Sequence, residues 1–295
     1  MTKTAFISIV GKPNVGKSSI LNKLLGQKIA IVSDKPQTTR TRIMGVLTEG
    51  EPQLVFTDTP GYHRPHNKLG EKMIKAVSDS ISGVDACMFV VEPEGELRET
   101  ETELVEKFKK EKMPVILVIN KIDTIKVKTE LMKRILDLSA LYEFEAVIPV
   151  SAMKNDGLDM LKEELIKLAF PSEHFFPDDT LTDQPERVIA SEIVREKMLR
   201  MLDREIPHGV AVSIEKMRER ADKDILDVEA VIYCEKDSHK GIIIGKKGAM
   251  LKKISTYARQ DMERFFDCKV NLQCWVKVKE GWRNRDGLIH NFGLD

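Results

Sequence analysis

The stretch GKPNVGKSS (residues 11–19) stands between TAFISIV (4–10), which reads as a buried strand, and SSILNKLLG (18–26), whose apolar spacing is helical. It meets the pattern G-x-x-x-x-G-K-[ST] at Gly11, Gly16, Lys17 and Ser18. Glycines let the backbone curl until successive N–H groups point inward at phosphate oxygens. Lys17 then reaches the β and γ phosphates, and the Ser18 hydroxyl ligates magnesium. A strand, this loop and a helix in that order make a phosphate cradle.

The nucleotide is specified further along the chain. A hairpin is expected over IMGVLTEGEPQLVFTDTPG (43–61), turning at Glu49–Pro52 and delivering Asp58 at a strand end. A carboxylate there can hold magnesium, directly or through water, and the Gly61 N–H can meet a γ-phosphate. In PVILVINKID (114–123), Asn120, Lys121 and Asp123 close another apolar strand. An aspartate so placed accepts the ring N–H and the exocyclic amine of guanine, a pair of donors adenine lacks. A third strand end, AVIPVSAMKNDGL (146–158), offers Ser151 and Ala152, whose loop N–H can meet the guanine carbonyl. These motifs follow the order a doubly wound sheet needs to gather them at its carboxyl edge.

Residues 3–170 therefore resemble the translation-factor-like GTPases. The resemblance implies an α/β domain with a mixed, mostly parallel sheet, and it adds Val15 and Ser19 to the GTP contacts. In IVSDKPQTTRTRIMGV (31–46), Thr39 is implied as the switch threonine that closes onto magnesium, with Thr38 the alternative. Lys17, Asn14, Thr39 and Gly61 are the implied catalytic set. Tyr62 stands where many relatives carry a glutamine that orients water, so hydrolysis is expected to be slow unaided. Asn14 occupies the place at which several relatives hold a potassium ion; it also reads as a plain turn former. His63 and His66, in the second switch stretch, are expected as surface residues.

The character changes over PSEHFFPDDTLTDQP (171–185), with three prolines and no helical period. The expected division is a GTP-binding domain over 1–172, a linker over 173–185, a second domain over 186–281 and a tail over 282–295. The second domain opens with a helix in PERVIASEIVREKMLRMLDREIP (185–207), followed by strands in HGVAVSIEKM (208–217) and ILDVEAVIYCEK (225–236). HKGIIIGKKGAMLKKISTYARQDMERFF (239–266) then places Gly245, Lys246, Lys247 and Gly248 between an apolar run and a helix, and DCKVNLQCWVKV (267–278) closes the domain as a strand.

A G-x-x-G loop of this kind lets a nucleic-acid backbone approach two glycines while lysines and helix N–H groups meet phosphates. Between Gly241 and Arg264 six Lys or Arg face Asp261 and Glu263, a local net of +4 in a chain whose 47 basic and 47 acidic residues balance. The stretch resembles a type II KH domain, an α+β fold, with Gly245, Lys246, Lys247, Gly248, Lys252 and Lys253 as the RNA-binding set and single-stranded RNA as the target. Trp275 reads as core and Trp282 as undecided.

With both halves joined, the whole chain resembles the Era-like GTPase family, on GKPNVGKSS, KPQTTRTR, DTPGYHRP, NKID, VSA, TDQPERVIASEIVREK and GIIIGKKGAMLKKI. That resemblance implies a GTPase using Mg2+ and, with Asn14, K+. It also implies binding to the 3′ end of 16S ribosomal RNA during 30S subunit assembly, partial peripheral association with the inner membrane, and a monomer. Two other readings compete. One is an RNA-binding scaffold for which GTP is a structural ligand, which Tyr62 keeps open. The other is a P-loop ATPase or kinase, which NKID argues against. No stretch approaches the roughly 18 apolar residues of a membrane span, and a cytoplasmic location is expected. The four cysteines lack the close pairing of a zinc site.

Overall fold

The computed structural model describes residues 1–62, 65, 67–95, 98–221 and 223–294. His63 and His66 lie outside them. Two compact units divide the chain: Met1–Ala30, Thr39–Pro65 and Lys72–Asp183 form one, and Ile31–Thr38, His66–Glu71 and Gln184–Asp295 form the other.

The first unit runs β1 (Lys3–Val10), α1 (Lys17–Leu25), β2 (Ile43–Thr48), β3 (Pro52–Asp58), α2 (Lys68–Ile81, whose first turn is grouped with the second unit), β4 (Ala86–Val91), α3 (Glu99–Glu111), β5 (Val115–Ile119), α4 (Lys128–Ser139), β6 (Ala146–Pro149), α5 (Leu158–Lys167) and β7 (Phe170–Pro171). Its sheet has the order β2-β3-β1-β4-β5-β6, with β7 against β1. β2 is antiparallel to β3 and β7 to β1; the other pairings are parallel.

Every residue of β4 and β5 is buried. Strands covered on both faces must be apolar throughout, and ACMFVV and VILVI are. Cys87, Phe89 and Val91 of β4, with Val115, Leu117 and Ile119 of β5, face Val77 and Ile81 of α2, Leu104, Val105 and Phe108 of α3, and Leu138 of α4. The opposite face is covered by α1 and α5. The strand order reverses at β1, which has β3 on one side and β4 on the other, and the loop after β1 lies at that reversal, where doubly wound sheets bind ligands.

The stretch expected as a linker is tied down along the β2–β3 hairpin. The Gln53 amide donates to Phe176 O (2.9 Å) and its oxygen accepts from Phe175 N and Phe176 N, while Thr182 Oγ1 donates to Met44 O (2.6 Å) and Val46 N to Leu181 O (2.9 Å). Phe175 packs edge-on against Phe6.

The second unit contains α6 (Glu186–Met201), β8 (Ala211–Glu219), β9 (Ile225–Cys234), α7 (Asp237–Ile244), α8 (Ala249–Phe266), β10 (Lys269–Val278) and α9 (Asp286–Asn291). Its sheet has the order β10-β9-β8, with β10 parallel and β8 antiparallel to β9. Ile189, Ile193, Val194 and Met198 of α6 and Ile254, Ala258 and Met262 of α8 pack on Val228, Ala230, Ile232 and Val270. On β10, residues 270, 272, 274, 276 and 278 join this core, so the alternation of a strand sends Trp275 to the other face, 43% exposed. Trp275 is therefore not a core residue, contrary to expectation.

Residues 282–294, expected as a tail, pack instead. Trp282 is fully buried and donates its indole N–H to Gly209 O (2.9 Å), and Phe292 lies tilted against Tyr233 and edge-on to Trp282. Trp282 is thus not available to stack on bases. Within the same unit, Ile31–Thr38 lies along α6: Glu196 accepts from Val32 N (3.1 Å), Arg200 donates to Val32 O (3.1 Å), and Arg195 donates to Thr38 O.

Candidate functional site

The phosphate loop owes its shape to two glycines. A Cβ on Gly11, at φ +147°, would stand 2.3 Å from Val90 O, and one on Gly16, at φ +99°, would stand 2.2 Å from Asn120 Nδ2. Neither position tolerates a side chain. Asn14 adopts a left-handed φ of 65°, a conformation asparagine reaches more easily than most residues, and is exposed. Val15 is buried and Ser19 half-buried at the start of α1.

Lys17 is buried, and its ammonium donates to Gly11 O and Lys12 O, both at 3.1 Å. Burial pushes its pKa down to about 8, with Asp58 acting in the opposite direction. Asp58 is fully buried, and burial pushes its carboxyl up to about 6 against the pull of Lys17, Ser18 and Thr39. Two opposite charges both displaced toward neutrality by burial mark a site suited to a charged ligand.

Three oxygens converge beside Lys17. Ser18 Oγ donates to Asp58 Oδ2 (2.5 Å), stands 3.0 Å from Thr39 Oγ1, and Thr39 Oγ1 donates to the same Asp58 oxygen at 3.4 Å. Asp58 Oδ1 is buried and without a hydrogen-bond partner. Hard oxygen donors with one buried carboxylate oxygen to spare fit magnesium, which binds through one or two carboxylates plus substrate phosphates. Thr38 is not part of this cluster: its hydroxyl bonds Ser33 Oγ (2.9 Å) and Lys35 O (2.6 Å). Of the two threonines, Thr39 is the one at the carboxylate.

Gly61 closes the other side of the loop. A Cβ there would meet the Pro13 Cα and N at 2.5 Å, and Tyr62 N donates to Gly11 O (3.1 Å). The Tyr62 ring packs partly into the α2–α3 side of the core.

The loops expected to read the base meet through Asn120. Its amide donates to Val15 O (2.8 Å) and its oxygen accepts from Ala152 N (3.1 Å), so one buried side chain joins the phosphate loop to the loop after β6. Asp123 is exposed and accepts from Ser151 Oγ. Lys121, at φ 68°, extends to Glu92. Glu92 was missed from sequence; it carries no motif of its own.

The second unit presents a separate basic surface. Gly245 has φ 72° and a Cβ there would stand 2.7 Å from Met250 Cβ; Lys247 and Gly248 are also left-handed, at φ 53° and 77°. The turn exposes Lys246 and Lys247, and α8 begins with no acidic residue in its first turn and no side-chain cap on its N–H groups. Lys252 and Lys253 are exposed on that same end of the helix. Lysines near a helix N-terminus oppose its dipole, whereas an anion bound there would satisfy both. Asp261 and Glu263, at the far end, pair with Arg264 (3.1 Å) and Arg259 (2.9 Å), and none of the four lysines forms an ion pair among the described residues.

Comparison with known proteins gives two family matches: "50S ribosome-binding GTPase" over residues 6–121 and "KH domain" over residues 205–283. The chain is 50% identical to GTPase Era of Clostridioides difficile (strain 630), covering 100% of this chain and 99% of the relative. It is 49% identical to GTPase Era of Ruminiclostridium cellulolyticum, covering 99% and 97%. Two solved structures superpose with TM-scores of 0.95 at 37% identity: a tyrosine-to-alanine variant of Aquifex aeolicus Era bound to GDP and AlF4−, covering 99% of each chain, and Era with MgGDPNP and nucleotides 1506–1542 of 16S ribosomal RNA, covering 100% of this chain and 99% of the other.

Proposed function

Because the chain belongs to the Era family of GTPases, we propose that it binds the 3′ end of 16S ribosomal RNA through Gly245–Gly248 and the first turns of α8, and acts in assembly of the 30S subunit. It hydrolyses GTP to GDP and phosphate. The observation that carries the RNA reading is the full-length similarity to an Era bound at once to MgGDPNP and to 16S nucleotides, together with this chain's own unpaired lysines at an uncapped helix N-terminus.

Ser18, Thr39 and Asp58 would hold magnesium, which supplies positive charge to the phosphates when bound. Lys17 supplies a second positive charge. The loop N–H groups between Gly11 and Ser19 orient the polyphosphate, Asp123 reads guanine, and Asn120 fixes the loops that flank the base. The same proposal gives Asn14, exposed in the phosphate loop, the holding of a potassium ion that would add positive charge beside the phosphates. Cytoplasmic location and peripheral association with a membrane surface belong to the same reading; no helix among the described residues is long and apolar enough to cross a membrane.

The test is binding of the full chain to a short RNA copying the 16S 3′ end, with a non-hydrolysable GTP analogue, with GDP, and without nucleotide. Tighter binding with the analogue, reduced at least about tenfold by K246D/K247D, is expected. Undiminished binding by that variant would overturn the assignment of the RNA site. Equal affinity in all three states would favour the second reading, a scaffold in which GTP is structural. That reading is supported by Tyr62, whose ring cannot orient an attacking water as a carboxamide does.

A further inference from the structure

Glu92 follows β4 directly, and β4 lies between β1, which leads into the phosphate loop, and β5, which leads into NKID. Its two carboxylate oxygens take different partners. Oε2 stands 3.0 Å from Lys12 Nζ and Oε1 stands 2.7 Å from Lys121 Nζ. Lys12 belongs to the phosphate loop, and its carbonyl receives the Lys17 ammonium. Lys121 belongs to the base loop and is held in a left-handed conformation that a lysine adopts only under constraint.

The row continues inward. Lys12 Nζ also lies 4.0 Å from Oε1 of Glu101, a fully buried carboxylate in the first turn of α3 whose other oxygen accepts from Arg98 N (3.0 Å). Charges therefore alternate from Glu101 through Lys12 and Glu92 to Lys121. The side chains of Lys12, Glu92 and Lys121 are 11%, 31% and 37% exposed, so the pairs are shielded more than surface ion pairs usually are. Burial acts to raise the Glu92 pKa, yet the hydrogen bonds from Lys121 and Lys12 hold it below the usual range.

We propose that Glu92 is a positioning residue of the nucleotide site: its carboxylate binds Lys12 and Lys121 into one ion-paired unit, so that ordering the base loop helps to order the phosphate loop. Asn120, itself in the base loop, also bonds the phosphate loop at Val15 O, but its partners there and at Ala152 N are backbone groups; Glu92 sets the side chains. The inference rests on the nucleotide site described above.

The full chain should be measured with GTP for kcat and KM and with GDP for Kd. E92Q keeps the shape and removes the charge. Because the two loops are held alike in the ground state and the transition state, it should raise KM for GTP and Kd for GDP about tenfold each and leave kcat within about twofold. The decisive measurement is a cycle of K12M and K121M on the GDP Kd. Their effects should be non-additive by about fivefold in the parent chain and additive within about twofold once E92Q is present. Repulsion between the two lysines alone would survive E92Q.

A Kd and KM for E92Q within about twofold of the parent would overturn the proposal, as would additive lysine effects in the parent. So would a fall in unfolding temperature with KM unchanged, which is what a merely structural ion pair gives. Failure of the parent chain to bind GDP would overturn the nucleotide site itself and this inference with it.

Discussion

Alanine at Gly16 should lose more stability than backbone strain explains, and the excess should vanish when Asn120 is shortened. At φ +99° an alanine carries strain of about 2 kcal/mol. Its methyl would also stand 2.2 Å from Asn120 Nδ2, so the Asn120 side chain must leave its place. That strands two buried groups, Val15 O and Ala152 N, bonded to it at 2.8 and 3.1 Å, at about 2 kcal/mol each. G16A alone should then cost about 6 kcal/mol, and N120A alone about 4 kcal/mol. In the double variant the methyl meets a short side chain, so only strain is added and the total should again be about 6 kcal/mol. The sum of the single effects is about 10 kcal/mol, leaving a coupling of about 4 kcal/mol.

Urea unfolding of the nucleotide-free chain, followed by circular dichroism, measures these differences, with sucrose added if G16A leaves too little stability to fit. Trp275 and Trp282 both lie in the second unit and give that unit a separate fluorescence signal. Costs that add within about 0.5 kcal/mol would refute the reasoning, because Asn120 would then have moved aside without losing its bonds.

D58N should leave GDP affinity in EDTA nearly unchanged and reduce the gain in GTP affinity on adding Mg2+ about tenfold or more, measured by titration, since it removes the charged ligand of the oxygen cluster. G245A should weaken binding to single-stranded RNA at least about tenfold with GTP turnover unchanged, read by gel shift and phosphate release, because the turn needs positive φ and has no room beside Met250. His174 bonds Glu51 O (2.9 Å) and Asp178 (2.7 Å), and these contacts, the carbonyl first, raise its pKa. A raised folded pKa means that this contribution to stability is complete below about 6.5. It is lost as pH rises through the folded value. Imidazole NMR titration should show a pKa above about 6.5 that D178N lowers.

The phosphate loop, Asp58, NKID and the GKKG turn were legible because each couples a backbone requirement to a specific residue. Glycine where φ is positive and lysine beside it can be read along a line. The order of the elements in the second unit was legible for a similar reason, since its apolar runs keep clean periods of two or near four. Glu92 was not legible. A carboxylate after an apolar strand is common, and only the placement of β4 between β1 and β5 brings two lysines to it. Gln53 is similar, because its partners lie more than a hundred residues on, in a stretch whose prolines and acids read as free chain. The placement of Trp275 was within reach: its number is odd where every core residue of the strand is even.

The packing of Trp282 and Phe292 bears on how the protein is made. Phe292 packs on Tyr233, 59 residues before it, and Trp282 bonds a carbonyl 73 residues upstream. Domains form in order as a chain emerges during synthesis, and the nucleotide unit has its last strand by Pro171. The RNA-binding unit has no such lead, because Phe292, which covers Tyr233, is translated 59 residues after it. A message broken before the codon of Trp282 would therefore yield a complete GTP site and, in the same chain, a sheet stripped of its cover, with Tyr233 left open to solvent and to chaperones.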